Sequence, residues 1–201
     1  MTFDLIVIFL VGILLLFAAY TVYQLLRKFP KRTIDDVTPF LRPAEPEELE
    51  SLLDPGQETA FRLRMPPREF AAWQRKRIHL MREYLLRMSH NALVLIEWGN
   101  MEAGDGDGEQ LRCSPRELLA REMVQAATEF RLYSMLALAK LTFWLILPSP
   151  FKFMFPSPSL PSLRNIFGIN ALGSYQRLKT AASGLSLTCG GNFHSQLLER
   201  L

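Results

Sequence analysis

The chain has 201 residues, of which 49% are hydrophobic and 21% are charged, and its net charge is +3. This length suits one domain with an appendage, and the apolar content excludes a wholly disordered chain. Two cysteines are too few for a disulfide scaffold or a four-cysteine zinc site.

The charges lie in blocks of alternating sign along the chain. Residues 27–32 carry +4, residues 33–61 carry −7 and residues 62–100 carry +5. Residues 101–131 then carry −3 and residues 132–201 carry +5. We therefore expect charged surfaces to matter more than the small net charge.

The first predicted element is a transmembrane helix at 5–26. This run contains 22 residues without a charge. As a helix it is about 33 Å long, which matches the hydrocarbon core of a bilayer at about 30 Å. Tyr20 and Tyr23 stand near its end, where aromatic rings favour the membrane interface.

The flanks of this run predict its orientation. The residues after it are strongly basic, with Arg27, Lys28, Lys31 and Arg32. The positive-inside rule therefore predicts that residues 1–4 lie outside and that the body from 27 onwards is cytoplasmic. A cleaved signal peptide is the alternative, but it would carry its positive charges before the apolar run.

Residues 27–66 are predicted to be a Pro-rich, charged tether. Prolines recur through this segment and interrupt any long helix. A short helix is expected from Pro46, with acidic residues in its first turn. The sequence Asp54-Pro55-Gly56 is expected to end that helix.

Residues 67–147 are predicted to form an antiparallel helical hairpin. The first helix is expected over 67–98, ending at Gly99-Asn100. Its apolar stripe consists of Ile78, Met81, Leu85, Met88, Ala92 and Leu95.

The second helix of the hairpin is expected to begin at Ser114 and to run to Leu147. Ser114 is followed by Pro115 and, three residues on, by Glu117, as in a capping box. Its apolar stripe consists of Leu119, Met123, Ala126, Phe130, Tyr133 and Ala137. With strand signals nearly absent, the predicted class is all-α.

Residues 148–201 are predicted to be a loosely structured tail rich in Pro, Phe and Ser. Only weak helices are expected in it, near 171–187 and 195–201. The segment 132–147 before it has one charge, Lys140, and is too short for a span. We favour a buried helix end there. The alternative is an interfacial helix in which Trp144, Phe151, Phe153 and Phe155 enter the membrane surface while Lys140 and Lys152 reach the headgroups.

The strongest candidate for a binding surface is a basic run after the tether. It consists of Arg62, Arg64, Arg68, Arg75, Lys76, Arg77, Arg82 and Arg87. These residues are candidates for contact with anionic lipid or with an acidic protein partner. Nucleic acid is disfavoured because no reader motif accompanies the run. A solvated helix face without a specific partner is the simplest alternative.

No catalytic, cofactor-binding or metal-binding site is predicted. His79 and His90 lie about 16 Å apart along one helix, which is too far for one metal ion. The acidic loop that starts at Asp105 lacks the Gly and Glu of a calcium loop, since Gln110 and Arg116 stand at those positions. Cys113 and Cys189 are expected to be free thiols in separate parts of the chain. His194 is expected to be a solvated or partly packed side chain.

The sequence therefore predicts a single-pass membrane protein with a cytoplasmic helical body. Its expected role is a non-enzymatic interaction or scaffold module that contacts the bilayer and either a protein partner or a second copy. A membrane-associated enzyme or enzyme subunit for an apolar substrate is an alternative, with His79, His90 and Glu97 as its polar groups. A protein that binds anionic lipid surfaces is the other alternative.

Overall fold

The structure, a computed structural model, describes residues 37–104, 114–146, 163, 165–166, 169–189 and 194–201. These residues belong to one compact unit, Lys31–Leu201. The predicted transmembrane run 5–26 and the aromatic side chains Phe151, Phe153 and Phe155 lie outside the described residues. Within the described residues, no helix combines the length and the apolar character that crossing a bilayer requires.

The described part of the chain is built from helices, which confirms the all-α prediction. In chain order the elements are a 3₁₀-helix Thr38–Phe40, α1 Pro46–Leu52, α2 Pro55–Arg64, α3 Pro67–Gly104, α4 Pro115–Ile146, β1 Asn165–Ile166, β2 Ile169–Asn170, α5 Ala171–Cys189 and α6 His194–Arg200. The two short strands pair antiparallel, with Asn165 opposite Asn170.

Helix α3 buries its predicted apolar stripe completely. Ile78, Met81, Leu85, Met88, Ala92 and Leu95 are all fully buried. The predicted stop at Gly99-Asn100 is wrong, because α3 continues to Gly104. At Gly99 the helix meets α4, and a Cβ atom built there would lie 2.7 Å from Val124 Cγ2. Gly99 therefore lies where α3 and α4 approach each other closely. Packing against α4 stabilises α3 beyond this residue.

Helix α4 begins at the predicted cap. The backbone N–H of Arg116 donates to Ser114 Oγ at 3.2 Å, which satisfies one of the free donors of the first turn. The Glu117 carboxylate pairs with Arg121 one turn further on. The second stripe is buried as well, with Leu119 partly so.

Helices α3, α4 and α5 form a three-helix core with α4 between the other two. Gly99 near the end of α3 lies against Ala120 near the start of α4, so these two helices run antiparallel. Gly184 late in α5 lies against Leu119, whereas Tyr175 early in α5 packs 4.9 Å from the Phe130 ring, so α5 is antiparallel to α4. The core therefore has three helices and not the two of the predicted hairpin.

The helix predicted near 171–187 is present as α5, but it belongs to the core and not to a loosely structured tail. Its buried residues Ala171, Tyr175, Leu178, Ala182 and Leu185 recur at helical spacing and face the core. Small residues and glycines between them dilute the stripe in the sequence, so that its period is weak. Packing against α4 supplies the stability that this composition lacks.

The predicted tether folds onto the core from Val37 onwards. Val37, Leu41, Leu49 and Leu53 are at most 2% exposed. The sequence at Asp54 begins a further helix, α2, because Asp54 Oδ1 accepts the backbone N–H of Gly56 at 2.9 Å. The prediction that residues 27–66 are only a tether with one short helix is therefore wrong for 37–66.

Side chains of the core hold residues 38–42, which we call the strap. Asn91 on α3 donates Nδ2–H to Arg42 O at 2.7 Å and accepts the Arg42 N–H at Oδ1 at 2.8 Å. The ring Nε2 of His90 lies 3.1 Å from Phe40 O. Arg200 on α6 donates to Leu41 O at 3.3 Å, so the strap is covered from the far end of the chain.

Candidate interaction surface

The basic residues predicted from the sequence lie on two consecutive helices. Arg62 and Arg64 are on α2, and the others are on α3. We call the exposed or half-exposed members the basic surface, which consists of Arg62, Arg64, Arg68, Arg75, Lys76, Arg82 and Arg87. Arg68 and Arg75 are seven residues apart on α3, which places them on one face of the helix.

Arg77 does not belong to this surface. It is 4% exposed, and its Nη2 donates to three backbone carbonyls, those of Ser51, Leu52 and Asp54. Ser51 and Leu52 are the last residues of α1 and Asp54 is the N-cap residue of α2, so Arg77 satisfies acceptors that a helix terminus leaves free. The prediction that Arg77 contacts lipid or a partner is therefore wrong.

Burial lowers the pKa of the Arg77 guanidinium, and the charges of Glu58 and Asp54 partly offset that effect. Trp73 adds a further contact, because the Arg77 Cζ atom lies 5.0 Å from its ring centroid. Glu58 and Asp54 therefore stabilise the charged form of a buried guanidinium group. A count of charges along the sequence does not show this.

Residues 62–68, which we call the elbow, comprise the end of α2, the turn after it and the start of α3, and tilted aromatic rings pack against one another there. The Phe61 and Trp73 ring centroids are 4.7 Å apart, and those of Phe70 and Trp73 are 5.8 Å apart. The Arg62 Cζ atom lies 5.5 Å from the Phe70 ring centroid. Arg62 at the end of α2 is thus beside the first turn of α3.

The remaining predicted contact residues are separate from the elbow. Trp144 is partly buried against the core near the end of α4. Arg87 pairs with Glu83 and lies over the Tyr84 ring. Lys140 is exposed on α4, and Phe143 on the same helix is 50% exposed.

The polar groups of the enzymatic alternative do not form one site. His79 is exposed, His90 contacts the strap and Glu97 is buried. On one helix, His79 and Glu97 are about 27 Å apart. The described residues hold no group of three metal-binding side chains. A cleft of about 140 Å³ lies elsewhere, against Glu50, Leu53, Asp54, Pro55 and Leu172.

A buried carboxylate joins the ends of the three core helices. Glu102, 8% exposed, pairs with Arg116 on α4 and accepts the Trp98 Nε1–H at 2.9 Å. The Cys189 Sγ atom on α5 is 3.9 Å from Glu102 Oε1. Burial raises the pKa of the Cys189 thiol, and the Glu102 charge raises it further. The sequence analysis missed this cluster, because its members are far apart in the chain.

Comparison of the chain with protein-family models, with curated proteins and with solved structures finds no significant match in any of the three.

Proposed function

We propose that this chain is a single-pass membrane-anchored helical protein that acts by interaction, without chemistry of its own. The run at 5–26 would anchor it, and the three-helix body would present a binding surface at the cytoplasmic face. The observation that carries this proposal is the uncharged run of 22 residues with four basic residues directly after it.

The body supports an interaction role because its polar groups serve structure. Asn91 and His90 hold the strap, Arg77 caps α1, and Glu102 joins the core helices. What remains on the outside of α2 and α3 is the basic surface. Anchoring keeps such a surface near lipid headgroups and near other membrane proteins, which raises the local concentration of both.

Membrane extraction tests the anchor. The full chain with a C-terminal tag is expected to stay with membranes in alkaline carbonate and in high salt. The variant Leu14→Asp/Leu15→Asp should be released, because each charge at the centre of a span costs about 2.5–3.5 kcal/mol. The matched control Leu14→Ala/Leu15→Ala should stay bound. Release of the wild-type chain by carbonate would contradict the proposal.

Protease protection tests the orientation. In intact cells the C-terminal tag is expected to resist external protease and to become sensitive once the membrane is permeabilised. A tag that is cleaved in intact cells would place the body outside and overturn the cytoplasmic assignment.

A further inference from the structure

The geometry points to the elbow as a membrane-contacting tip, in which Leu63 enters the interface of an anionic bilayer and Arg62, Arg64 and Arg68 contact the lipid phosphates. This inference rests on the proposed function, because the anchor brings the elbow to the membrane. It also names the partner of the basic surface, which is a lipid surface and not a protein.

Leu63 is unusually exposed for a large apolar side chain in this fold. It is 82% exposed, whereas Leu80, Leu86 and Leu118 are about half-exposed, at 48%, 52% and 55%. It lies in the last turn of α2, directly before the elbow bends. A projecting Leu with basic neighbours on both sides is typical of segments that lie in the membrane interface.

The arginines around Leu63 are available for phosphates. Arg87, Arg121 and Arg177 are held in ion pairs, whereas Arg62, Arg64 and Arg68 form no ion pair with another described residue. Among the nearby acidic residues, Glu58 and Asp54 act on the buried Arg77, and the exposed Glu69 after Arg68 still leaves the elbow with a net positive charge. Guanidinium groups bind phosphate oxygens with paired hydrogen bonds, which suits lipid headgroups.

The elbow is also rigid enough to present these groups together. Pro66 and Pro67 restrict its backbone, and Phe61, Trp73 and Phe70 pack beneath it. Stacking of Arg62 on Phe70 joins the last turn of α2 to the first turn of α3. Little conformational freedom is therefore lost when the tip docks.

A bilayer fits this surface better than a protein groove does. Leu63 is largely exposed among three exposed arginines, and a fluid interface accepts such a side chain without a matching pocket. Farther along α3, the exposed Arg75 and Lys76 extend the positive charge. Each basic residue near an anionic surface strengthens binding about fivefold.

An environment-sensitive label at the elbow tests the inference. The full chain carrying Leu63→Cys, with Cys113→Ser and Cys189→Ser, is labelled with a nitrobenzoxadiazole dye and reconstituted into vesicles. The vesicles contain phosphatidylcholine alone or with about one third phosphatidylserine. We expect a blue shift and brighter emission with phosphatidylserine. The signal should fall when ionic strength rises from about 0.1 M to about 1 M, because the Debye length shortens to about 3 Å.

Two controls are matched to this design. The same label at Leu118→Cys, an exposed leucine among residues of both charges, should not respond to phosphatidylserine. The set Arg62→Gln/Arg64→Gln/Arg68→Gln should lower the docked-to-undocked ratio by about a hundredfold, at about fivefold per arginine. The set Arg121→Gln/Arg177→Gln/Lys179→Gln removes the same charge at positions outside the basic surface and should leave the signal unchanged.

Equal emission at Leu63 in both kinds of vesicle would overturn the inference and leave the basic surface to an acidic protein. An equal response at Leu118 would also overturn it, because the effect would then be unspecific. Carbonate extraction of the same vesicles separates the two proposals. If the chain resists extraction but gives no signal at the elbow, the anchor is supported and the membrane-contacting tip is refuted. If carbonate extracts the chain, the anchor is refuted.

Discussion

At the residue scale, Arg77 shows how one side chain in a basic run differs from its neighbours. Arg75 and Lys76 are exposed, yet Arg77 is buried and donates to the carbonyls that end α1. The signal was present in the sequence, because Arg77 is four residues before Met81 and so shares the face of the apolar stripe. The residues around Arg77 do not show that the end of α1 would supply carbonyl acceptors for its guanidinium group.

Removing Arg77 is therefore expected to cost stability, while removing Arg75 is not. Arg77→Met keeps the apolar stem but removes the donor to the partly buried carbonyls at the end of α1, which should lower the free energy of unfolding by about 1–3 kcal/mol. Arg75→Met should change it by less than about 0.5 kcal/mol. Urea unfolding of the detergent-solubilised chain, followed by circular dichroism, measures both. Equal effects would contradict the capping role of Arg77.

The buried hydroxyl of Tyr175 is expected to make the fold less stable at alkaline pH. Burial raises its pKa to about 12, an effect that the neighbouring Asn91 side chain partly offsets. Between its unfolded pKa of about 10 and this value, the unfolded state loses the proton first, so the free energy of unfolding falls as pH rises. Tyr175→Phe should make this fall shallower, whereas Tyr84→Phe, at a half-exposed position, should not. Urea titrations at a series of alkaline pH values test it.

At the element scale, local sequence rules and tertiary packing lead to different structures at Gly99. A glycine followed by Asn100 after an apolar stripe is a usual end of a helix, so the sequence predicts that α3 ends there. Helix α3 continues because Gly99 lets it approach α4 closely, with Val124 Cγ2 and Met123 Cε beside the site of a Cβ atom. The same residue type thus has two meanings, and the neighbouring helix decides between them.

Alanine substitutions distinguish these meanings. Gly99→Ala is expected to destabilise the fold by about 1–3 kcal/mol, because the new methyl group collides with α4. Gly104→Ala meets nothing within 4 Å and should cost nothing. Thermal unfolding of both variants provides the comparison. If Gly99→Ala were as stable as the wild type, the close helix contact would be refuted.

At the scale of the whole molecule, distant segments close the fold. The strap before α1 is held by α3 from beneath and by Arg200 of α6 from the far end of the chain. Leu197 and Leu201 are buried there, at 0% and 2% exposed. These contacts make the strap, residues 38–42, part of the core itself.

Weakening α6 should therefore loosen the strap. Leu197→Ala removes a fully buried side chain, with an expected cost of about 2–5 kcal/mol, and should speed hydrogen exchange at the Arg42 amide, which donates to Asn91. Leu198→Ala, at a half-exposed position, should leave that exchange near the wild-type rate. Exchange at α4 serves as the internal reference. If the Arg42 amide exchanged at the wild-type rate in Leu197→Ala, the strap would not depend on α6.

The sequence by itself determined the all-α class, the stripes of α3 and α4 and the cap at Ser114. These rest on interactions within a few residues, such as the bond from Arg116 N–H to Ser114 Oγ. Only the tertiary structure decided that α5 completes the core, that α3 passes through Gly99, and that Arg77 turns inwards while its basic neighbours face solvent. The reason is physical: each of these depends on which surfaces meet across long stretches of chain, and burial against a partner helix outweighs weak local preferences.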